Sequence, residues 1–203
     1  MEARSRVKWS VAILFGVGAF CFPVFADEVY KYEGEFNLQI PADPDTSKGW
    51  MADAVIEIDY HLTILDLDVG VTLTHSNVFD LQISLQSPDG TTLSLNAYDP
   101  DNGFFQGADY SQTVFDDEAQ TPIGQAQPPF TGHFKPKGGN LLEIFDGQDA
   151  YGPWHLQIYD AYYHDTGTLN SFGLTITTPE PATMVLLALG AGFAALLRPR
   201  RRR

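Results

Sequence analysis

The sequence predicts an all-β domain, an antiparallel β-sandwich or jelly roll, carried between two apolar ends. Three observations support this. Between residues 53 and 176, apolar and polar side chains alternate with period two over short runs. Gly, Pro and Asp separate those runs, and these residues turn a chain. Before the tail, no stretch repeats apolar residues at the spacing of an amphipathic helix.

The elements follow in order. Residues 1–8 carry Arg4, Arg6 and Lys8, an uncharged apolar run follows to Phe25, and Val24-Phe25-Ala26 precedes the acidic Asp27-Glu28. A charged head, a greasy middle and a small-residue exit predict a signal helix over 1–26, cleaved after Ala26. Cys21 leaves with it, and Phe20 is too bulky for a lipid-attachment box. The mature chain then has no cysteine and no disulfide. Residues 27–50 read as a loosely patterned lead-in, and 51–178 as the domain. Within it Ile56, Ile58, Tyr60, Leu62 and Ile64 alternate with polar neighbours, as do Val69, Val71 and Leu73, then Leu81, Ile83 and Leu85. Ser87-Pro88-Asp89-Gly90 is a strong turn into a strand at 91–96. Trp154, Leu156 and Ile158 oppose His155, Gln157 and Tyr159, and Phe172, Leu174 and Ile176 close the domain. Residues 99–151 read as long loops with a few short strands. One inward face per strand gives a two-sheet core large enough to stand without disulfide staples.

Charge narrows the function. The chain carries −14 overall, but residues 27–178 hold four lysines, no arginine and twenty-four carboxylates, a net −20. Such a domain repels nucleic acid and anionic membrane surfaces, and its charged partners are cations. The arginines gather at the end: five of the twelve basic residues occupy the last six positions. Ahead of them lie Pro179-Glu180-Pro181 and a sixteen-residue uncharged stretch, 182–197. As a helix it spans about 24 Å, close to a hydrocarbon core once flanking arginines snorkel. The arginines then stay on the cytoplasmic side, leaving the acidic domain outside. This predicts a C-terminal transmembrane helix within 179–203.

The order Pro-Glu-Pro, apolar helix, Arg cluster resembles the PEP-CTERM sorting signal of Gram-negative bacteria. The resemblance implies processing by a membrane exosortase and delivery to the cell surface or an exopolysaccharide matrix, with the helix only a transient anchor. A second resemblance covers most of residues 50–177. HSNVFDLQISLQSPDGTTLSL at 75–95, FDDEA at 115–119, PPFTGHFKP at 128–136 and YGPWHLQIYDAYYHDTGTLNSFGLTI at 151–176 resemble, in order and spacing, the P domain (P/Homo B) of kexin- and furin-like subtilases. Phe79 stands where a Gly usually precedes the Asp, and Phe172 where a Trp is common. The resemblance implies a jelly roll, in agreement with the alternation. In convertases this domain packs on the protease, stabilising and regulating it.

The chain itself is read as non-catalytic. Only about fifty residues precede the match, too few for a subtilase domain, and no Gly-x-Ser-x-Gly elbow is present. Of the histidines, His61 and His155 fall on polar strand faces, and His75 resembles the family's structural strand-end His. No histidine pair has zinc-like spacing with a third ligand. Calcium is the expected cation, since loop carboxylates are its usual ligands and some P domains hold it. Asp116, Asp117 and Glu118 are the first candidates, then Asp160 and Asp165, with Asp99, Asp101 and Asn102, and Asp146 and Asp149, as further clusters. The Asp99 loop is no EF-hand: Gly103 comes too early and Tyr110 falls where Glu is needed. Tyr159, Tyr162 and Tyr163 are candidate glycan contacts, and Phe104-Phe105 is a second aromatic pair. The expectation is a stand-alone, exosortase-sorted surface or matrix module. Its alternatives are an exopolysaccharide-binding module and an accessory subunit of a secreted subtilisin-like protease.

Overall fold

The computed structural model describes residues 7–9, 27–43, 45, 48–98, 107–137 and 142–179. The strands are β1 (Val7–Trp9), β2 (Glu28–Ile40), β3 (Gly49–Trp50), β4 (Ala54–Ile58), β5 (Asp66–His75), β6 (Leu81–Gln86), β7 (Thr92–Asn96), β8 (Tyr110–Phe115), β9 (Phe130–Phe134), β10 (Gly152–Asp160) and β11 (Gly167–Thr178). They form two sheets, one in the order β1-β2-β11-β5-β8-β9, the other in the order β3-β10-β6-β7 with β4 also on β10. Inward rows from both sheets share one hydrophobic cluster. The fold is all-β, as the alternation predicts.

Several elements differ from the sequence reading. Of residues 1–26, read as a signal helix, only Val7–Trp9, at the end of the charged head, are described, and they run as an edge strand against Val29–Lys31. Ala26 and the tail from Glu180 onward lie outside the described residues. Among the described residues no helix is long and apolar enough to cross a membrane. Residues 27–50, read as a lead-in, supply β2 and β3, and β2 pairs with β11 along its length. The strand begun at residue 54 stops at Ile58, and Tyr60 beyond it is half exposed. Among the named strands β8–β9 is the one parallel pair. The connection 116–129 is long enough to carry the chain back in the same direction, which a parallel neighbour requires.

Packing explains two local features. In β11 both Leu169 and Phe172 are buried although three residues apart, because the pairing with β2 and with β5 shifts between Leu169 and Ser171. An extra residue there, Asn170, changes which face follows. Between the sheets, Asn96 Nδ2 donates to the Tyr110 hydroxyl at 2.8 Å. Burial pushes that phenol's pKa up. Trp154 is fully buried against Phe145, with its indole N–H donating to the Ala150 carbonyl at 2.9 Å. The Ser87-Pro88-Asp89-Gly90 turn closes with Gly90 at φ 91°, a conformation glycine adopts without strain.

Candidate functional site: an aromatic corner and two acidic clusters

Strand β10 buries Trp154, Leu156 and Ile158, so His155, Gln157 and Tyr159 face outward. Register then builds a surface around Tyr159. Trp50 of β3 lies opposite it on one side and Gln82 of β6 on the other. Directly opposed residues share a face, so Trp50, Tyr159 and Gln82 form one outward row. The Trp50 and Tyr159 rings lie 4.9 Å apart, tilted by 53°. Asp53 Oδ2 sits beside the row, 3.3 Å from Gln157 Nε2 and 3.2 Å from His155 Nδ1. The loop after β10 adds Tyr162 and Tyr163, and Lys48 Nζ lies 5.2 Å from the Tyr163 ring centre, a cation–π distance. Trp50, Tyr162 and Tyr163 are 54%, 54% and 56% exposed. All three glycan candidates from the sequence therefore belong to this end of the sheet. Trp50 is missing from that reading, since a two-residue strand gives no alternation to register.

The same loop is pinned from beneath by acids. Asp160, fully buried, accepts the Tyr162 N–H at 3.1 Å and faces His75 Nε2 at 3.2 Å. Asp165 accepts Ser76 Oγ at 2.6 Å. Asp80, buried and bonded by Asn77 Nδ2 at 2.9 Å, completes the group. Burial, followed by the charges of Asp165 and Asp160, pushes Asp80 up to about 6. The sequence reading pairs Asp160 with Asp165 and misses Asp80. His75 is a buried partner for Asp160.

A second acidic basin lies where the β8–β9 connection meets β5. Asp116 Oδ1 accepts the N–H groups of Glu118 and Ala119, and Oδ2 lies 2.7 Å from His133 Nδ1. Burial raises its carboxyl, but His133 and the Glu118 N–H outweigh that and hold it below the usual range. Asp117 Oδ2 accepts the Glu143 N–H, while its Oδ1 is buried with no partner. Asp68 of β5 is pushed up to about 7 by burial, then by Asp66 and Asp116. Asp66, Glu118 and Asp146 are also raised, burial first in each. Asp149 is spent locally, on His61 and the N–H groups of Leu62 and Tyr151. Asp99 and Asp101 lie outside the described residues. Among the described residues no three carboxylate, imidazole or thiol groups converge as a metal-ligand set.

Residues 64–176 match the proprotein convertase P-domain. The chain belongs to that family. Residues 177–202 match the PEP-CTERM protein-sorting motif, which marks the chain for export and cell-surface sorting and implies exosortase processing. No curated protein matches the chain. Among solved structures it is similar to the serine protease of Aeromonas sobria in complex with its chaperone, at 19% identity and TM-score 0.43, over 74% of this chain and 26% of that one. The same protease solved by itself gives 19% and 0.42, over 73% and 26%. The chain thus spans about a quarter of the protease it resembles. In this P domain, His75, Asp80, Asp160 and Asp165 fall inside the matched region and hold the aromatic loop to the sandwich.

Proposed function

We propose that this P domain works without catalysis, as a stand-alone module held at the cell surface, where its aromatic corner engages a partner. The observation that carries this is the set of three rings, each more than half exposed, at one end of a domain carrying net −20. Together they leave roughly 300 Å² of ring surface bare, about half of the 150–250 Å² each aromatic side chain presents. That is at the lower end of the roughly 300–600 Å² of the largest apolar patch on a typical monomer, a patch that is often functional. What supports the absence of catalysis is the family: the match is to a P-domain, a regulatory rather than catalytic module.

Two partner classes follow from a surface address: matrix polysaccharide, and a secreted subtilisin-like protease that uses this chain as an accessory subunit. The aromatic corner favours the polysaccharide. Calcium belongs to the same proposal as a stabiliser of the basin at Asp116, Asp117 and Glu118, which Asp66 and Asp68 of β5 adjoin. The clustered charge and the bare Asp117 oxygen favour it, whereas the present arrangement of the carboxylates does not form a ligand set. The test of the module is binding of labelled exported protein to producing cells stripped of it. Trp50→Ala with Tyr163→Ala should abolish that binding while leaving the melting temperature unchanged. Undiminished binding by the double variant would refute the reading.

A further inference from the structure

Resting on the reading of the corner as a binding surface, we propose that its occupant is a polysaccharide of pyranose sugars without acidic groups, laid over Trp50, Tyr159 and Tyr163. Three observations converge on that chemistry. The first is the kind of apolar surface. Among the described residues, the exposed large aliphatic side chains, Leu65 and Ile144, belong to other parts of the fold, and the large exposed apolar groups at the corner are rings. A protein hot spot seats its anchors in a desolvated apolar pocket. Half-exposed rings with no aliphatic wall instead suit a ligand that presents a flat C–H face and keeps its other side wet, as a pyranose does. Trp50 and Tyr159, 4.9 Å apart and tilted, are too close to serve two sugars and make one angled platform for a single ring. Tyr163, stiffened by Lys48, supplies a second contact across the loop.

The second observation is the polar lining. Gln82 shares the row with Tyr159, and Gln157 and Asp53 form the next step along the sheet. Side-chain amides and a carboxylate present paired donors and acceptors to sugar hydroxyls. Asp53 already orients Gln157 and His155, so these groups are held ready. The third is charge. A domain of net −20 repels uronate or sulfated chains, and Lys48 beside Tyr163 does not offset that. Neutral sugars meet no penalty, and amino sugars gain attraction.

The experiment is affinity electrophoresis of the exported protein through gels containing a neutral glucan, partly deacetylated chitosan or alginate. Retardation is expected in glucan or chitosan and absent in alginate. Trp50→Ala and Tyr163→Ala should each weaken binding about tenfold, the loss typical of removing an aromatic anchor. Trp50→Phe should keep most of it. Tyr151→Ala serves as control, because Tyr151 is also half exposed but stacks on His61 at the other end of β10. Melting temperatures of the variants confirm folding. Equal retardation of Trp50→Ala and wild type, or alginate binding as strong as glucan, would overturn the proposal. No retardation in any gel, alongside Trp50-dependent binding to cells, would overturn the sugar assignment while sparing the corner as a surface for a protein partner.

Discussion

Replacing Asp68 by Asn should stabilise this domain, and more so at pH 8 than at pH 5. Asp68 has its pKa raised from 3.8 to about 7, first by burial and then by Asp66 and Asp116. A carboxyl raised in the folded state binds its proton more tightly there than in the unfolded chain. Its contribution therefore falls as pH rises from 3.8 through 7. A rise of that size sets a ceiling of about 4 kcal/mol at pH 8. Asp68 keeps some contact with solvent, so about 2 kcal/mol is the expected gain from the isosteric amide. At pH 5 only the interval above 3.8 counts, roughly a third of it. In melting temperature, about 2 kcal/mol corresponds to roughly 4–8 °C for a domain of this size. Asp80, at about 6, tilts the wild type the same way. The lowered Asp116 and Asp149 contribute stability that is lost only in more acidic solution, below the unfolded carboxylate range. The assay is thermal melting of wild type and Asp68→Asn in chelator at pH 5 and 8. An equal gain at both pH values, or a loss at pH 8, would refute the reasoning. Calcium added at pH 8 should raise the wild-type melting temperature and narrow the gap, and an unmoved wild type would end the calcium expectation.

Other perturbations have calculable outcomes. Trp154→Ala removes a fully buried indole and its bond to Ala150, and should cost about 3–5 kcal/mol in denaturant unfolding. Tyr110→Phe leaves the Asn96 amide between the sheets without its partner, with an expected loss of about 1–3 kcal/mol by the same measurement. His75→Ala strips buried Asp160 of its imidazole partner and should cost about 1–3 kcal/mol. Because Asp160 also holds the Tyr162 N–H, hydrogen exchange in 161–166 should quicken in that variant.

Much of the sandwich is legible in the sequence because its strands keep a strict alternation. Strands β5, β6, β7, β10 and β11 each bury every second residue over most of their length, and the Ser87–Gly90 turn announces its own hairpin. Strand β2 carries the same signal, although 27–50 reads as a lead-in: Tyr30, Tyr32, Phe36, Leu38 and Ile40 alternate with charged or amide residues, except where Gly34 takes an inward place. Strands β8 and β9 are hidden for a physical reason. Gln112 sits at φ 52° where the β5–β8 and β8–β9 pairings shift, which breaks the period. The acidic basin cannot be read from spacing, because Asp68 meets Asp116 only through the pairing of β5 with β8. The aromatic corner is half legible. The tyrosines cluster in sequence, whereas Trp50 arrives through a two-residue strand placed by tertiary contact with β10.

If the two apolar ends serve only to route the chain, the acidic sandwich left outside is the whole working part. Intact-mass analysis of the protein recovered from the cell surface tests this most directly. The expected species begins at Asp27 and ends near Pro179-Glu180-Pro181, with the 182–203 segment gone. Full-length chain residing in the cytosol, with both apolar ends attached, would contradict it.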